Sequence, residues 1–118
     1  MGTVKIKRIY EAAEKTDGVR ILVDRLWPRG VKKETAQLDE WLKAIAPSEA
    51  LRKWYHQDPD PSKWGEFKAR YLTELKDNEA VSHLQDIIDK NKAVTLLYAA
   101  HDQQHNHALV LLEYINAQ

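Results

Sequence analysis

Alternating and continuous apolar positions predict three β-strands in this chain of 118 residues. Thr3–Ile9 alternates apolar side chains with lysines, which is typical of a strand near the edge of a sheet. Val19–Leu22 is rich in β-branched and apolar residues and continues through Val23 to Asp24. Ala93–Tyr98 is almost entirely apolar, which predicts a strand that is buried on both faces.

Apolar residues at helical spacing predict the helices that separate and follow these strands. Thr35–Ala46 is predicted to be an amphipathic helix whose apolar face carries Leu38, Trp41, Leu42 and Ile45. A last helix is predicted from Gln104 to Ile115. The helices between these two are expected to begin at polar capping residues, which are Ser48, Ser62 and either Asp77 or Asn78.

The order of these elements predicts a single α/β domain over residues 1–118. Strands interleaved with helices favour a small three-layer domain, with a mainly parallel sheet of three to four strands flanked by helices. We expect Val19–Asp24 and Ala93–Tyr98 to lie side by side and parallel, because both are apolar with polar carboxyl ends. About ten residues join the first two strands, fewer than the dozen or more that a parallel crossover usually needs.

Composition excludes several classes of protein. Hydrophobic residues make up 43% of the chain and charged residues 31%, which is typical of a globular domain. The chain has no cysteine, which excludes disulfides, thiolate nucleophiles and cysteine-ligated zinc. No apolar run approaches the roughly 18 residues that cross a bilayer, and no apolar signal region follows the first methionine. We therefore expect a cytoplasmic protein with no membrane contact.

The formal net charge is zero, but the charges are unevenly distributed along the chain. Residues 1–33 carry nine Lys or Arg against four Asp or Glu, and residues 34–118 carry nine against fourteen. The basic N-terminal third could face an anion, or the charges could interleave in space and cancel. The acidic remainder argues against a general coat for nucleic acid.

The first polar segment that could carry chemistry is Asp24–Lys33, directly after a predicted strand. Ligands of open parallel sheets bind beyond the carboxyl ends of the strands. We predict that Asp24 moves a proton there and that Trp27 offers a flat surface for stacking. The residues predicted to bind an anion in this segment are Arg25, Arg29, Gly30 and Lys32. The structural alternative is that the carboxylate pairs with a neighbouring arginine while the tryptophan fills the core.

The second polar segment is His101–His107, which follows the most apolar strand. Free N–H groups at a strand-to-helix junction favour anions, and histidine is a natural acid or base near neutral pH. We predict His105 as the proton-transfer partner of Asp24, with Asp102 and Asn106 as binding residues. The four-residue spacing of His101 and His105 also suits metal ligands, but Asp102 as a helix cap with solvated histidines is the favoured alternative, so no metal site is predicted.

A third group, Trp54–Pro59 together with Trp64, could line a cleft through His56 and Asp58. The tryptophans lie at the spacing of a helix core, so core packing is the preferred interpretation. The sequence contains no Gly-rich phosphate loop, no G-x-S-x-G string and no kinase-type set of motifs.

Three segments resemble the YeaO-like branch of the domain-of-unknown-function 488 family (DUF488), and the resemblance covers nearly the whole chain. They are Val19–Lys33, Leu51–Tyr71 and Val94–Leu111, of which the first holds the specific string V-D-R-x-W-P-R-G. The resemblance implies functional positions at Asp24, Arg25, Trp27, Pro28, Arg29 and Gly30, and at Asp102, His105 and Asn106. Longer relatives resemble the chain but carry a cysteine in the segment after the last strand, and this chain has none there.

The leading functional hypothesis is a pocket at the strand tips that binds, or acts on, an anionic small molecule, nucleotide-like ligands included. The alternative is a non-catalytic module that binds protein or nucleic acid through the basic N-terminal third. A cleft that brings Asp24 and His105 within a hydrogen bond or one water of each other would favour an enzyme. A convex stripe of cations would favour the binding module, and the sequence leaves the cofactor, if either uses one, unknown.

Overall fold

Parallel strands form one sheet in the computed structural model, which describes residues 2–58 and 60–117. The strands are β1 (Thr3–Arg8), β2 (Val19–Leu22), β3 (Glu40–Trp41) and β4 (Ala93–Tyr98). Within the described residues they lie in the order β1-β4-β2-β3, and every neighbouring pair is parallel. The predicted α/β class and the parallel pairing of the second and last predicted strands are both confirmed.

The apolar strand β4 lies in the interior of the sheet, as its sequence predicted. Its register places Leu96 opposite Ile21 and Leu97 opposite Leu22, and all four side chains have no solvent exposure. The ladder continues past β2, because the Val23 N–H donates to the Leu97 carbonyl at 3.0 Å. The carboxyl ends of β2 and β4 therefore meet at one edge of the sheet.

The main helices cover one face of the sheet. They are α2 (Glu49–Gln57), α3 (Trp64–Lys76), α4 (Ala80–Lys90) and α5 (His107–Asn116). Their buried side chains, among them Leu51, Tyr71, Leu84 and Leu111, pack against alternate residues of β2 and β4 in one core cluster. In the described part of the chain, none of the helices has the length and apolar character needed to span a membrane.

Polar residues precede α2, α4 and α5 close to the predicted positions, whereas the predicted cap Ser62 lies inside a 3-10 turn capped by Asp60 and does not cap α3. The Ser48 hydroxyl accepts the Leu51 N–H, and the Asn78 amide oxygen accepts the Ala80 N–H. Asn106 caps α5 in the same way, which places the start of that helix at His107 rather than at Gln104. The expected start was too early because the turn before Asn106 is polar but not helical.

The opposite face of the sheet is covered by short elements. The short helix α1 (Lys33–Ala36) buries Ala36 against Leu22 and Leu97, together with Ile9. Trp27 and Trp41 pack against this second cluster as half-buried side chains. Two core clusters on opposite faces of one sheet give the three layers that the sequence predicted.

The connection from β1 to β2 is short because a buried ionic cluster takes the place of a crossover helix. A 3-10 turn at Lys15–Asp17 places the Asp17 carboxylate, which has no solvent exposure, beside Lys7 and Arg20. The Thr95 hydroxyl of β4 donates to the Asp17 carbonyl at 2.7 Å. The chain then enters β2 through Gly18, whose φ of 66° would strain any other residue.

The prediction of one helix over Thr35–Ala46 is wrong. The chain leaves α1 at Gln37, which has a left-handed φ of 49°, and then forms β3 and a 3-10 turn at Lys43–Ile45. The Asp39 carboxylate accepts the Arg20 N–H at 2.8 Å, and the Asp39 N–H donates to the Arg20 carbonyl at 2.8 Å. These bonds hold the segment at the edge of β2, so sheet pairing overrides the helical spacing.

The apolar residues of this segment are divided between the two faces of the sheet. Leu38 and Trp41 pack with the cluster on the α1 side, whereas Leu42 and Ile45 are buried on the side of the main helices. Residues predicted to share one helix face therefore serve two separate cores.

Candidate functional site

A pocket of about 290 Å³ opens where β2 and β4 end, between those strand tips and the helices α2 and α3. The loop after β2 supplies one wall, the loop after β4 another, and α2 closes a third side. Its lining is mainly apolar with a few charged groups, and consists of Asp24, Arg25, Leu26, Trp27, Pro28, Ala46, Pro47, Arg52, His56, Phe67, Ala99, Ala100 and His107.

Asp24 is held at the strand tip by the neighbouring strand and by α5. Its Oδ2 atom accepts the Ala99 N–H at 3.1 Å, which joins the ends of β2 and β4. His107 Nε2 lies 3.2 Å from Asp24 Oδ1 and 3.0 Å from the Val23 carbonyl. A carbonyl only accepts, so His107 Nε2 carries the hydrogen and donates it to Val23.

The second oxygen of Asp24 is left incomplete by this arrangement. Asp24 Oδ1 is closed to solvent and receives no hydrogen bond from any residue that the structure describes. A buried carboxylate oxygen without a hydrogen-bond donor is costly, because it has lost its water while His107 Nε2, 3.2 Å away, donates to the Val23 carbonyl instead.

Arg25 and Arg52 are the arginines of the pocket, and they differ in how their guanidinium groups are used. Arg25 Nε donates to the Pro47 carbonyl at 3.0 Å, and its Nη2 atom donates to the Ala46 carbonyl at 3.4 Å. Arg52 projects from α2, and its buried Nε atom has no hydrogen-bond partner among the described residues. Arg25 is thus tied to the protein, whereas Arg52 keeps donor capacity for a ligand.

His56 lies one helical turn after Arg52 and lines the same pocket. Partial burial lowers the pKa of His56 below its ordinary value, and the Coulomb interactions with Arg52 and with the His107 ring lower it further. The imidazole is therefore neutral at pH 7 and can accept as well as donate a hydrogen bond.

The structure places only part of the first predicted set at the pocket. Asp24, Arg25 and Trp27 line it, and the Trp27 Nε1–H donates to the Val31 carbonyl at 2.8 Å. Arg29, Gly30 and Lys32 are exposed and lie outside its lining. Neither Arg25 nor Arg29 forms an ion pair with Asp24 within the described ranges, so the structural alternative for this carboxylate is also not seen.

The second predicted set mainly builds the turn before α5. Asp102 Oδ1 accepts the N–H groups of Gln104 and His105, each at 2.9 Å. The buried Asn106 accepts the Leu109 N–H and donates its amide hydrogen to the Asp102 carbonyl. These contacts occupy the N–H groups that the sequence suggested for an anion.

His105 faces a different hollow from Asp24. Its ring stacks on Trp64 with centroids 4.8 Å apart, and it lines a hollow of about 250 Å³ with Tyr55, His56, Asp60, Pro61 and Asp102. The histidine beside Asp24 is His107, two residues later. The predicted pairing of Asp24 with His105 is therefore replaced by a contact with His107.

Sequence reasoning missed Arg52 and weighed His56 only as a cleft residue of a group for which core packing was preferred, although a usable signal was present. They are four residues apart on α2, so they lie on one face of that helix. A cation and an imidazole at this spacing, on a helix that also carries aromatic core residues, mark a polar face turned towards the strand tips. Among the described residues, no group of three or more His, Asp or Glu is arranged to hold a metal.

The arrangement is suited to binding. The lining offers a guanidinium with free donor capacity, a carboxylate oxygen without a donor and an apolar wall. Among the described residues the lining contains no Ser, Thr, Cys, Lys or Tyr, and its carboxylate and imidazole groups are those of Asp24, His56 and His107. The two positions that line it directly after β4 are alanines, Ala99 and Ala100.

Comparison with known proteins gives close matches over the whole chain. The uncharacterized protein YeaO of Escherichia coli is 45% identical over 114 residues, covering 97% of each chain. The uncharacterized proteins Rv3073c of Mycobacterium tuberculosis and Mb3100c of Mycobacterium bovis are each 37% identical over 115 residues, covering 98% of this chain and 95% of theirs. No solved structure matches the chain. A family model described as the inactive DUF488-N3 subclade matches residues 3–118, so the chain belongs to the DUF488 family, within the DUF488-N3i subclade.

Proposed function

We propose that this protein binds a small molecule through an anionic group, in the pocket at the ends of β2 and β4. The observation that carries the proposal is Arg52, whose buried Nε atom lacks a partner while its residue lines a largely apolar pocket. An unpaired guanidinium N–H away from water is costly, and an anion repays that cost through charge-assisted hydrogen bonds.

We propose binding without turnover. No Ser, Thr, Cys, Lys or Tyr lines the pocket in the described part of the chain, and the Nε2 hydrogen of His107 is committed to a carbonyl. The description of the matched family model as an inactive subclade supports the same interpretation. A proton-transfer role for Asp24 stays a prediction, with His107 rather than His105 as its neighbour.

A nucleic-acid or protein interface on the basic N-terminal third receives less support. Lys5, Lys7 and Arg20 converge on Asp17, and Arg8 donates to the carbonyls of Ala99 and Ala100. These cations are used inside the fold, which leaves less positive charge for a partner. A cytoplasmic location stays a prediction.

Isothermal titration with acetate, benzoate and inorganic phosphate tests the proposal, using the parent protein and Arg52→Gln. We expect at least one of these anions to bind the parent, and Arg52→Gln to weaken that binding by roughly tenfold or more, since a hydrogen bond to a charged group contributes about 1.5–3 kcal/mol. Arg70→Gln removes an exposed arginine of α3 outside the pocket and serves as the matched control.

Arg29→Gln belongs in the same experiment, because the sequence pointed to Arg29 as an anion ligand. Its exposed side chain lies outside the pocket lining, so we expect this variant to bind the anions as the parent does. Binding that survives in Arg52→Gln but disappears in Arg29→Gln would move the anion site to the loop. No heat from any of the three anions would refute the proposal.

A further inference from the structure

Two buried side-chain atoms in the described residues have no hydrogen-bond partner, and the residues that carry them line the same pocket. They are Asp24 Oδ1 and Arg52 Nε. One atom is an acceptor on an acid and the other is a donor on a base. A molecule that completes both must therefore offer an acceptor of negative charge and a separate hydrogen-bond donor.

Arg52 is the group that would take the negative end of such a molecule. The guanidinium of Arg25 in the same wall already donates to the carbonyls of Ala46 and Pro47. The planar fork of an arginine matches the two oxygens of a carboxylate, so this group is the simplest anion that completes Arg52.

Asp24 is the group that would take the donor. Its Oδ2 atom is occupied by the Ala99 N–H, which fixes the carboxylate at the end of β2. The nearby His107 directs its Nε2 hydrogen to the Val23 carbonyl and leaves Asp24 Oδ1 without a donor. Because this oxygen is closed to solvent here, the Asp24 carboxylate would have to turn it towards the pocket, where an ammonium or a hydroxyl beside the ligand carboxylate would complete it.

The rest of the pocket selects an apolar body of modest size. The uncharged wall is formed by Leu26, Trp27, Pro28, Ala46, Pro47, Phe67, Ala99 and Ala100. The volume of about 290 Å³ lies at the lower end of the roughly 300–1,000 Å³ of small-molecule sites. This space suits a molecule the size of an amino acid and is too small for a dinucleotide.

Phosphate is a poorer match than a carboxylate. Phosphate sites commonly use free backbone N–H groups at a helix start, and here the side chains of Asp102 and Asn106 occupy those of Gln104, His105 and Leu109. The Asp24 carboxylate in the same pocket would also repel a dianion more strongly than a monoanion.

We infer that the ligand is a small α-amino or α-hydroxy carboxylic acid with an apolar side chain. Its carboxylate pairs with Arg52, its amino or hydroxyl group donates to Asp24, and its side chain packs on the apolar wall. This inference rests on the proposed function, because it assigns the ligand class to the same pocket.

A series of ligands with one common apolar body tests the inference by isothermal titration against the whole protein. The series is L-phenylalanine, L-3-phenyllactate, 3-phenylpropanoate and 2-phenylethylamine, with inorganic phosphate alongside. We expect phenylalanine or phenyllactate to bind at least tenfold more tightly than phenylpropanoate, which lacks the donor, and than phenylethylamine, which lacks the carboxylate. Whichever of phenylalanine and phenyllactate binds more tightly shows whether the preferred donor is an ammonium or a hydroxyl.

Two variants test which protein side chain contacts the carboxylate of the ligand and which contacts its hydrogen-bond donor. Arg52→Gln should weaken every carboxylate in the series, whereas Asp24→Asn should remove the advantage of phenylalanine or phenyllactate over phenylpropanoate and leave phenylpropanoate itself nearly unchanged. Arg70→Gln is the control, and a thermal melt of each variant checks its fold. If Asp24→Asn does not fold, the ligand series on the parent still decides.

The outcomes separate this inference from the proposed function. Phenylpropanoate binding as tightly as phenylalanine and phenyllactate, or phosphate binding most tightly with the same dependence on Arg52, would overturn the inference and keep an anion pocket. Absence of binding by every acid and by phosphate would overturn both.

Discussion

Tyr71 illustrates how a single side chain joins the helical layer to the loop that precedes α2. The side chain is 1% exposed, and its hydroxyl donates to the Ile45 carbonyl at 2.7 Å. Burial raises the pKa of Tyr71, and the negative charges of Glu74 and Asp24 raise it further. The hydroxyl therefore stays protonated and remains a donor at neutral pH.

Tyr71→Phe should lower the free energy of unfolding by about 1–3 kcal/mol, because it leaves the buried Ile45 carbonyl without a partner. Tyr10→Phe is the matched control, since the exposed Tyr10 hydroxyl donates to the Arg29 carbonyl, which water can satisfy instead. Urea denaturation of both variants measures the difference. Equal losses in the two variants would contradict the assigned role of Tyr71.

The site residues show what a sequence can and cannot predict at this scale. Asp24 was predictable, because an acid directly after an apolar strand lies at the tip of that strand. His107 was not distinguished from His105, since the choice depends on where α5 begins, and the Asn106 cap determines that. Arg52 was missed because it approaches the strand tips only through the packing of α2, which is a long-range effect.

Among the elements, the sequence predicted correctly those that a short local pattern defines. The central strand β4 and the helices capped by Ser48 and Asn78 follow from runs and caps that a short window contains. The prediction of a helix over residues 35–46 was wrong, because the helical spacing of its apolar residues competes with pairing to β2, a strand about twenty residues earlier. Its two-residue strand β3 offers no alternation long enough to be detected.

Gln37 ends α1 in a left-handed conformation that glycine adopts without steric cost. We expect Gln37→Gly to raise the free energy of unfolding by about 0.5–1 kcal/mol, because it relieves this cost at the end of the helix. The same substitution at Gln85, inside α4, should lower stability by about 1 kcal/mol, through the poor helix propensity of glycine. Denaturant titrations of both variants check the opposite signs, and a loss of stability at both positions would count against the conformation assigned to Gln37.

At the scale of the whole molecule, the uneven charge of the sequence is partly cancelled inside the fold. Three cations of the basic N-terminal third, Lys5, Lys7 and Arg20, surround Asp17, and Glu14 also binds Lys7. The sequence left open whether these charges face an anion or interleave. For this group they interleave, because a crossover of about ten residues has room for a buried ionic cluster but not for a helix.

The ionic cluster around Asp17 should make the free energy of unfolding depend on pH in the acidic range. Burial alone would raise the pKa of Asp17, but hydrogen bonds from the Glu14 N–H and from Lys7, Arg20 and Lys5 outweigh burial and hold that pKa well below its ordinary value. A carboxyl whose pKa is lowered on folding stabilises the protein above its unfolded pKa of about 4, and this contribution is lost as the pH falls below that value. We therefore expect the parent to lose about 2–3 kcal/mol of unfolding free energy as the pH is lowered from 5 through 4 towards the folded pKa.

Asp17→Asn should be less stable than the parent at pH 7, because it leaves the buried Lys7 and Arg20 uncompensated, and its stability should fall less steeply as acid is added. Asp86→Asn, at an exposed position of α4, should keep the acid dependence of the parent. Urea denaturation of the three proteins at pH 7, 5, 4 and 3 measures both effects. If Asp17→Asn is too unstable to measure, Lys7→Met removes one of the cations, so it should raise the folded pKa of Asp17 towards its unfolded value and make the loss of stability in acid smaller than in the parent. An acid dependence that is identical in the parent and in the variants of this cluster would show that other carboxyl groups control the response.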